Sequence, residues 1–453
     1  MTHSELPDIN AAVAIIGAGL SGSAAAHHLL RHGITDIMVL EAGNQPGGRV
    51  RSTVLAGEPV DLGAQFVGPS QTSLLRLLAD LGLSTIPMHK AGRNIAHDDN
   101  TYNHAELDRF ITAVTDVGAV MNLVEPWTHP EAKYLDGITV IEWARTLGIR
   151  DTVVLGYIST TVEMFISGSG ESVSALWFAY FVAAAGGWHE LAGGTLDARV
   201  AGGVQQVALR VADTLAERIR FQSPVTQLDH NKESVTLTTA DGYTVEAGRV
   251  IVACSPSEVA RIQFEPPLPS ARTRLDAEWT MSAGMKFAIA FESPFWRKLG
   301  LSGSILPSRT SPVGAIIDNT PSDGTGPGVL IGFANSRRLA SGQSHRSDRM
   351  RIVESYVHQM FGVTAPPAID YVEHIWAQET WISGCMSPNR PGVLLDSWPI
   401  IRSAIGRIHF AGTETSDHFN GYMEGAVRAG QRAADEILSS RHELNSVTDA
   451  PAT

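Results

Sequence analysis

The chain has 453 residues, of which 43% are hydrophobic and 18% are charged, as expected for a globular protein of two or three domains. Disordered, collagen-like and coiled-coil architectures are excluded for the chain as a whole. The net charge of −13 disfavours nucleic acid as a partner, because an acidic surface repels phosphate groups.

The cysteine and hydropathy patterns indicate a soluble, cytoplasmic protein. Cys254 and Cys385 are too few and too far apart to form a disulfide framework, which favours a reducing compartment. The chain has no apolar run of about 18 residues, the length associated with a membrane-spanning helix. We therefore expect no membrane partner, and no residue pattern suggests a metal site.

The first segment of the chain predicts a βαβ unit. A short apolar strand at 11–16 leads through a glycine turn into a helix at 21–32, and a second strand follows at 36–40. Gly33 lies where the C-cap of the helix belongs. Two strands joined in this way run parallel, so a parallel sheet is expected.

A glycine motif, Gly17-Ala-Gly19-Leu-Ser-Gly22, occupies the turn between the first strand and the helix. The first glycine permits the tight turn, the second lets a pyrophosphate approach the backbone, and the third lets helix and strand pack closely. Glu41 closes the second strand about 20 residues further on, where a carboxylate binds ribose hydroxyls. The combination predicts an adenine dinucleotide without a 2′-phosphate.

The residues that follow favour FAD over NAD. Gly47-Gly48-Arg49 lies just beyond the ribose-binding carboxylate, where it can line the pyrophosphate and the isoalloxazine end of the cofactor. The segment 61–69 (DLGAQFVGP) adds closely spaced residues that let a flavin ring pack against the main chain.

Helical and strand-rich regions alternate along the rest of the chain. Residues 105–190 are predicted to be mostly helical, residues 220–253 to form strands and turns, 285–292 and 313–334 to form longer strands, and 421–438 to form a last helix. We predict the α/β class, mixed with α+β features, in which a Rossmann-like FAD-binding domain is interleaved with a substrate domain of a β-sheet flanked by helices.

Both predicted domains are discontinuous. The FAD-binding domain comprises residues 1–85, 200–285 and 386–453, and the substrate-binding domain comprises residues 86–199 and 286–385. Each domain is thus assembled from segments that are far apart in sequence.

Together with motifs near the other end of the chain, these features resemble the flavin monoamine oxidases. Residues 408–415 (IHFAGTET) and 421–430 (GYMEGAVRAG) match the family's FAD signature, and the segment 264–269 (FEPPLP) and Lys286 follow the same pattern. The resemblance covers about residues 11–440, and the bacterial cyclohexylamine and putrescine oxidases look most similar. It implies bound FAD, a small-molecule amine substrate, dioxygen as acceptor and a homodimer.

The resemblance assigns contacts with FAD to residues spread over the whole chain. Residues 421–423 lie at the start of the last helix, where N–H groups stabilise the negative charge of reduced flavin. The implied cofactor-binding residues are Gly17, Gly19, Ser21, Gly22, Glu41, Gly47, Gly48, Arg49, Gly63, Ala64, Gln65, Phe66, Val225, Trp376, Cys385, Gly412, Glu414, Gly421, Tyr422 and Met423. Cys385 matches a residue that is bonded to the flavin 8α-methyl in some members, so covalent and non-covalent FAD both remain open.

Two residues carry the chemistry that the resemblance implies. Lys286 corresponds to the lysine that holds a water beside the flavin N5 and assists the reaction with dioxygen. Tyr422 corresponds to one ring of an aromatic cage along the path of the amine. The second ring is normally a tyrosine directly after the cysteine, but this position is Met386. Candidates for a replacement ring are Trp376, Trp381 and Phe419, and a one-sided cage is the alternative.

The implied substrate cavity has apolar walls. Its residues are Met164, Phe165, Leu196, Ala315, Trp381 and Met386. Gly68-Pro69 is not followed by the arginine that binds a carboxylate in related amino-acid oxidases. Ala315 offers no carboxylate for the far end of a diamine, although Asp197 or His189 could add a polar contact.

We therefore expect FAD-dependent oxidative deamination of an apolar primary monoamine, whether aliphatic, cyclic or arylalkyl. The products would be an imine, then an aldehyde or ketone with ammonia, and hydrogen peroxide. The alternatives are an oxidase or dehydrogenase of cyclic secondary or tertiary amines, a diamine oxidase, and a flavin-binding protein without turnover.

Overall fold

The computed structural model describes residues 9–96, 102–307, 313–321, 323–335, 345–362 and 365–448, together with residues 311 and 339. In chain order, the strands are β1 (Ile9–Ile16), β2 (Ile37–Leu40), β3 (Ser52–Leu55), β4 (Glu58–Asp61), β5 (Phe66–Val67), β6 (Thr85–Pro87), β7 (Arg93–Ile95), β8 (Ala198–Val200), β9 (Ile219–Arg220), β10 (Val225–His230), β11 (Val235–Thr239), β12 (Thr244–Val252), β13 (Gln263–Glu265), β14 (Gly284–Phe291), β15 (Leu301–Ile305), β16 (Val313–Asp318), β17 (Gly328–Asn335), β18 (Asp370–Ile375) and β19 (Ile408–Phe410).

The helices alternate with these strands along the chain. They are α1 (Leu20–Arg31), α2 (Thr72–Asp80), α3 (His104–Ala119), α4 (Ala132–Asp136), α5 (Val140–Thr146), α6 (Thr152–Ile166), α7 (Ala175–Ala184), α8 (Trp188–Ala192), α9 (Gln206–Leu215), α10 (Pro256–Val259), α11 (Ser270–Glu278), α12 (Phe295–Lys298), α13 (Arg346–Phe361), α14 (Leu394–Ser397) and α15 (Met423–Thr448). Where the structure describes the chain, none of these helices combines the length and the apolar character needed to span a membrane.

The larger sheet has eight strands in the order β13-β10-β11-β12-β1-β2-β9, with β19 added beside β12. Its central strand β1 pairs in parallel with β12 on one side and with β2 on the other. The strand β19 joins in parallel, with Ile408 opposite Val250. The parallel pair β1 and β2, connected through α1, confirms the predicted βαβ unit and the predicted α/β class.

The second sheet has six strands in the order β18-β14-β17-β16-β15-β7. Strand β14 lies between β18 and β17 and is antiparallel to both, and every residue after Gly284 is buried. Lys286 is therefore carried by an interior strand and not by a sheet edge. The predicted stretch 313–334 forms two strands, β16 and β17, and its residue 322 lies outside the described residues.

The region 105–190 is helical, as predicted, and its core is helix α7. Every residue of α7 except Ala183 is buried, because a helix that is apolar all round can be stable only inside a core. Trp177 packs against Trp398 with ring centroids 4.9 Å apart and against Trp279 at 6.0 Å. The division of the chain into two domains stays a prediction, and its boundary after residue 285 falls within β14.

The last helix differs from the prediction at both ends. Gly421 has a φ of +82°, which a right-handed helix cannot accommodate, so α15 begins at Met423. The helix does not end at residue 438 but continues to Thr448. The hydroxyl of Ser440 donates to the carbonyl oxygen of Ile437 within the helix, so this serine does not end it.

Helix α1 packs tightly on the turn before it because Gly22 has no side chain. A Cβ at Gly22 would lie 1.9 Å from the carbonyl oxygen of Gly17. Gly17 itself has a φ of +96°, which makes the sharp turn from β1 possible. The geometry of the turn therefore depends on glycine at both positions.

The variant Gly22→Ala should destabilise the protein by about 3 kcal/mol, because the new methyl group meets a backbone atom that cannot move aside. Thermal denaturation measures the effect. Gly137→Ala is the matched control, since Gly137 is exposed, its φ of −82° and ψ of −9° suit alanine, and a Cβ there comes no closer than 3.2 Å to another atom. Equal melting temperatures for the two variants would contradict this packing argument.

Candidate active site

A cavity of about 1210 Å³ lies between the two sheets and the helical region. Its walls include residues from the carboxyl ends of β1 and β2, from β14, β16 and β17, and from α6 and α8. The carboxyl ends of parallel strands are the usual place for ligands in such sheets. The cavity is thus the natural candidate for the functional site.

One end of the cavity is bounded by the turn into α1. Gly17, Gly19 and Ser21 line it, and no side chain caps the first N–H groups of the helix. Uncapped N–H groups and the positive end of the helix dipole suit a phosphate group.

Glu41 follows β2 and lines the same part of the cavity. One carboxylate oxygen accepts the N–H of Ala18 at 2.7 Å, and the other accepts the N–H of Gly43 at 2.7 Å. Burial raises the pKa of this carboxyl, and the two N–H donors act against that shift. The donors fix the carboxylate where ribose hydroxyls would reach it.

A second group of glycines borders the cavity beside the first. The backbones of Gly19 and Gly47 form a β-bridge, and a Cβ at Gly48 would lie 3.2 Å from the Cα of Gly19. A Cβ at Gly63 would lie 2.1 Å from the carbonyl oxygen of Arg49. Residues without side chains therefore let these backbone segments meet and leave bare main chain along the cavity.

Arg49 joins two distant segments at the cavity wall. Its Nη1 lies 2.6 Å from Oε1 of Glu414 and donates to the carbonyl oxygen of Cys385 at 3.3 Å. Glu414 is buried behind the wall, whereas Arg49 lines the cavity. The buried carboxylate thus holds the guanidinium in place.

The predicted cofactor residues are brought together around this one cavity with two exceptions. Gly22 and Glu414 lie behind the wall, Gly22 as a packing contact of α1 and Glu414 as the partner of Arg49. The other predicted cofactor residues and the six predicted substrate residues line the cavity. Their roles in binding stay predictions.

Lys286 lies in the cavity wall and is 2% exposed. Its Nζ donates to the carbonyl oxygen of Gly63 at 2.9 Å and to Oε1 of Gln65 at 2.8 Å. The rings of Phe66 and Phe333 lie 5.7 Å and 5.4 Å from the same nitrogen. The amine is thus held by two oxygen atoms in otherwise aromatic surroundings.

The surroundings of Lys286 weaken its affinity for a proton. Burial lowers the pKa of Lys286 to about 8, while the negative charge of Asp61 acts in the opposite direction. A lysine with this pKa remains largely protonated at neutral pH but can release its proton under mildly alkaline conditions.

Tyr422 lies just before α15 among other aromatic rings. Its centroid is 5.7 Å from that of Phe181 and 6.0 Å from that of Phe419, and burial raises the pKa of its hydroxyl. Met386 lines the same cavity, and a Cβ at Gly421 would lie 2.7 Å from its Cε. The thioether therefore packs beside the Gly421 backbone, and Phe419 is not part of the cavity wall.

The two tryptophans considered as replacement rings have other neighbours. Trp376 donates its Nε1 hydrogen to the carbonyl oxygen of Leu62 at 3.1 Å. Trp381 is 37% exposed and lies 4.7 Å from the guanidinium of Arg261. Among the described residues, the rings that contact Tyr422 are those of Phe181 and Phe419.

Both cysteines are half-buried residues of the cavity wall. Burial raises the pKa of the Cys385 thiol, although Arg49 and Lys286 lower it, and burial also raises the pKa of the Cys254 thiol. A protonated thiol is a poor nucleophile. Cys254 therefore lines the cavity with an unreactive thiol.

The remaining wall is apolar and aromatic. It contains the predicted residues Met164, Phe165, Leu196 and Ala315. The two residues expected to add a polar contact, His189 and Asp197, are not part of the wall, and Asp197 pairs with Lys90.

Two tyrosines of this wall are not evident from the sequence. The rings of Tyr102 and Tyr157 stack with their centroids 5.4 Å apart, and both line the cavity. They come from separate segments and belong to no motif, so their spacing carries no signal. Only the aromatic character of helix α6 could have drawn attention to Tyr157.

This arrangement fits an enzyme that binds a dinucleotide cofactor. Similar proteins identify the family to which the enzyme belongs. Residues 20–438 match the family described as flavin containing amine oxidoreductase. The putative flavin-containing monoamine oxidase AofH of Mycobacterium tuberculosis is 34% identical over 447 residues, which cover 94% of this chain and 96% of that protein.

Two solved structures have the same fold. Cyclohexylamine oxidase from Brevibacterium oxydans superposes with a TM-score of 0.89 at 32% identity, and the match covers 96% of this chain and all (100%) of the other. Wild-type putrescine oxidase bound to putrescine superposes with a TM-score of 0.89 at 30% identity and the same coverage.

The chain belongs to the flavin-containing amine oxidoreductase family, whose cofactor is FAD. The cavity fits this group, because bare glycine backbone, an uncapped helix start and a fixed carboxylate meet at one end of it. The donors needed for a dinucleotide are thus present without any rearrangement of the described residues.

We expect FAD to be held without a covalent bond, because the raised pKa of Cys385 keeps its thiol protonated. Acid precipitation should therefore leave the yellow colour in the supernatant. Cys385→Ser, as the matched control, should release the same amount of flavin per protein. Colour that stays in the pellet of the natural protein but not of the variant would demonstrate a covalent link.

Proposed function

We propose that this protein oxidises an apolar primary monoamine with dioxygen. The overall reaction converts the amine, dioxygen and water into an aldehyde or ketone, ammonia and hydrogen peroxide. Bound FAD supplies the electron acceptor for the amine and, once reduced, the donor for dioxygen. The observation that carries the proposal is that Lys286 and Tyr422 share one cavity with a glycine-rich end and an apolar wall.

The apolar wall favours a neutral amine with an apolar substituent. Met164, Phe165, Leu196 and Ala315 offer no partner for a substrate carboxylate, whose desolvation would be costly there. Tyr422 remains a neutral phenol at ordinary pH, so it orients the amine through its ring face and does not act as a base.

Lys286 serves the half-reaction with dioxygen in this proposal. A charged lysine has three N–H donors, and Gly63 and Gln65 accept two of them. The third is available to a water molecule or to the negative charge that dioxygen acquires as it is reduced.

A diamine oxidase is the second candidate. Glu163 on α6 lines the cavity next to Met164, and a carboxylate there could bind the distal ammonium group of a diamine. Putrescine oxidase, a structure of the same fold, was solved with putrescine bound. The apolar majority of the wall favours the monoamine.

A peroxide-coupled screen of aliphatic, cyclic, aromatic and polyamine substrates tests the proposal. Apolar monoamines should show a kcat/KM about tenfold or more above that of putrescine, because a second ammonium group would be desolvated. Preference for diamines, lost in Glu163→Gln, would favour the second candidate. If no amine bleaches the bound flavin without oxygen, both candidates are wrong.

The variant Lys286→Met should slow reoxidation of the reduced flavin by dioxygen about 100-fold, since it removes the donor that stabilises the developing negative charge. Reduction by the amine should change little. Stopped-flow absorbance measures both steps. Lys298→Met, at an exposed lysine, is the matched control and should leave both rates unchanged. A normal reoxidation rate in Lys286→Met would exclude this role.

A further inference from the structure

A chain of buried hydrogen bonds leads from the cavity wall into the interior behind it. Lys286 donates to Oε1 of Gln65 at 2.8 Å, and Nε2 of Gln65 donates to Oδ1 of Asn319 at 2.7 Å. The exposed fractions of Gln65 and Asn319 are 2% and 3%. Gln65 lines the cavity, whereas Asn319 does not. Asn319 therefore reaches Lys286 only through the glutamine.

The two ends of the Gln65 amide have opposite effects on a neighbouring ammonium group. The oxygen accepts a hydrogen bond from Lys286, but the nitrogen is itself a donor and would repel a charged lysine. The orientation of this amide is set by its other partner, because the oxygen of Asn319 requires the nitrogen of Gln65 to face it. Rotation of the amide would break both hydrogen bonds at once.

Asn319 is itself held in a rigid segment. Its backbone N–H donates to the carbonyl oxygen of Val329 at 2.8 Å. The neighbouring carboxylate of Asp318 accepts the N–H of Thr320, Nε of Arg297 and Nε1 of Trp296, each at 2.8 Å. The backbone that carries the Asn319 side chain is thus fixed beside Gln65.

We propose that Asn319 is a positioning residue that locks the Gln65 amide with its oxygen toward Lys286 and so keeps the charged amine aimed at the cavity. The lock leaves the third N–H of Lys286 directed away from its two protein acceptors. This inference rests on the proposed function for the use of Lys286 with dioxygen, but the lock itself can be measured independently.

The other groups near Lys286 do not duplicate this lock. Asp61 favours the charged lysine through space, the Cys385 thiol is protonated, and His374 lies opposite Lys286 in the pairing of β14 with β18. Burial and the charge of Arg51 lower the pKa of His374, so this histidine is neutral near the pH at which Lys286 titrates. None of these groups fixes the direction of the Gln65 amide.

Carbon-13 NMR of the FAD-loaded protein, labelled at lysine Cε, tests the proposal without relying on turnover. The chain has five lysines, and Lys286→Met assigns the relevant signal. In the natural protein, the Lys286 signal should titrate near pH 8.

Asn319→Leu frees the Gln65 amide to rotate, so the titration midpoint of Lys286 should fall by about one pH unit. Asn319→Asp still offers an oxygen to Gln65, so its midpoint should remain at or above the natural value.

A double variant shows whether the effect travels through Gln65. In a Gln65→Met background, Asn319→Leu should produce no further shift, because no amide remains to be oriented. An unchanged midpoint in Asn319→Leu, or additive shifts in the double variant, would overturn the proposal. If Asn319→Leu does not fold, Asn319→Ser shortens the side chain and provides the same test.

Stopped-flow reoxidation across the same pH range separates this proposal from the proposed function. If the NMR midpoint falls and the reoxidation profile falls with it, both proposals are supported. If the midpoint falls but reoxidation does not follow it, the lock is supported and the role of Lys286 with dioxygen is wrong.

Discussion

The structure depends on how closely distant stretches of backbone approach the first turn of α1. A Cβ at Gly22 would collide with the carbonyl of Gly17, and a Cβ at Gly430 would lie 2.1 Å from the carbonyl oxygen of Ser21. The N–H of Gly412 also donates to the hydroxyl of Ser21 at 3.0 Å. Because glycine occupies these positions, α15 can pack directly on α1. Main-chain atoms of both regions therefore line the cavity.

The parts of the fold that follow from local patterns were predictable. The glycine spacing after an apolar strand predicted the βαβ unit, and a single lysine in an apolar strand pointed to Lys286, because a buried charge must have a function or a partner. The interior position of β14 was not predictable, because its partner strands β17 and β18 both lie more than 30 residues further along the chain. The predicted end of the last helix at residue 438 was wrong, because α15 continues through Ser440, whose hydroxyl bonds back to Ile437 within the helix.

Long-range partners explain what the sequence missed in the site. Asn319 lies 254 residues from Gln65 and belongs to no motif, so nothing in its surroundings marks it. The contact of Trp381 with Arg261 similarly joins separate segments. Two cationic groups of the wall have similar support from behind it: Glu414 holds Arg49, and Asn319 holds Gln65, which accepts a hydrogen bond from Lys286. Glu414 lies within a motif and could be recognised from the sequence, whereas Asn319 lies outside any motif and could not.

The order of strands in the larger sheet has a consequence for synthesis of the protein. Strand β1 pairs with β12 on one side, and β12 in turn pairs with β19. The first strand therefore finds this partner only after residue 252 has emerged from the ribosome. Gly412 and Tyr422, which complete the cavity, emerge later still. The helical core also depends on late residues, because Trp177 packs against Trp279 and Trp398. Both the helical core and the cofactor cavity are therefore completed only near the end of translation. FAD can accordingly meet its complete site only in a chain that is almost fully made.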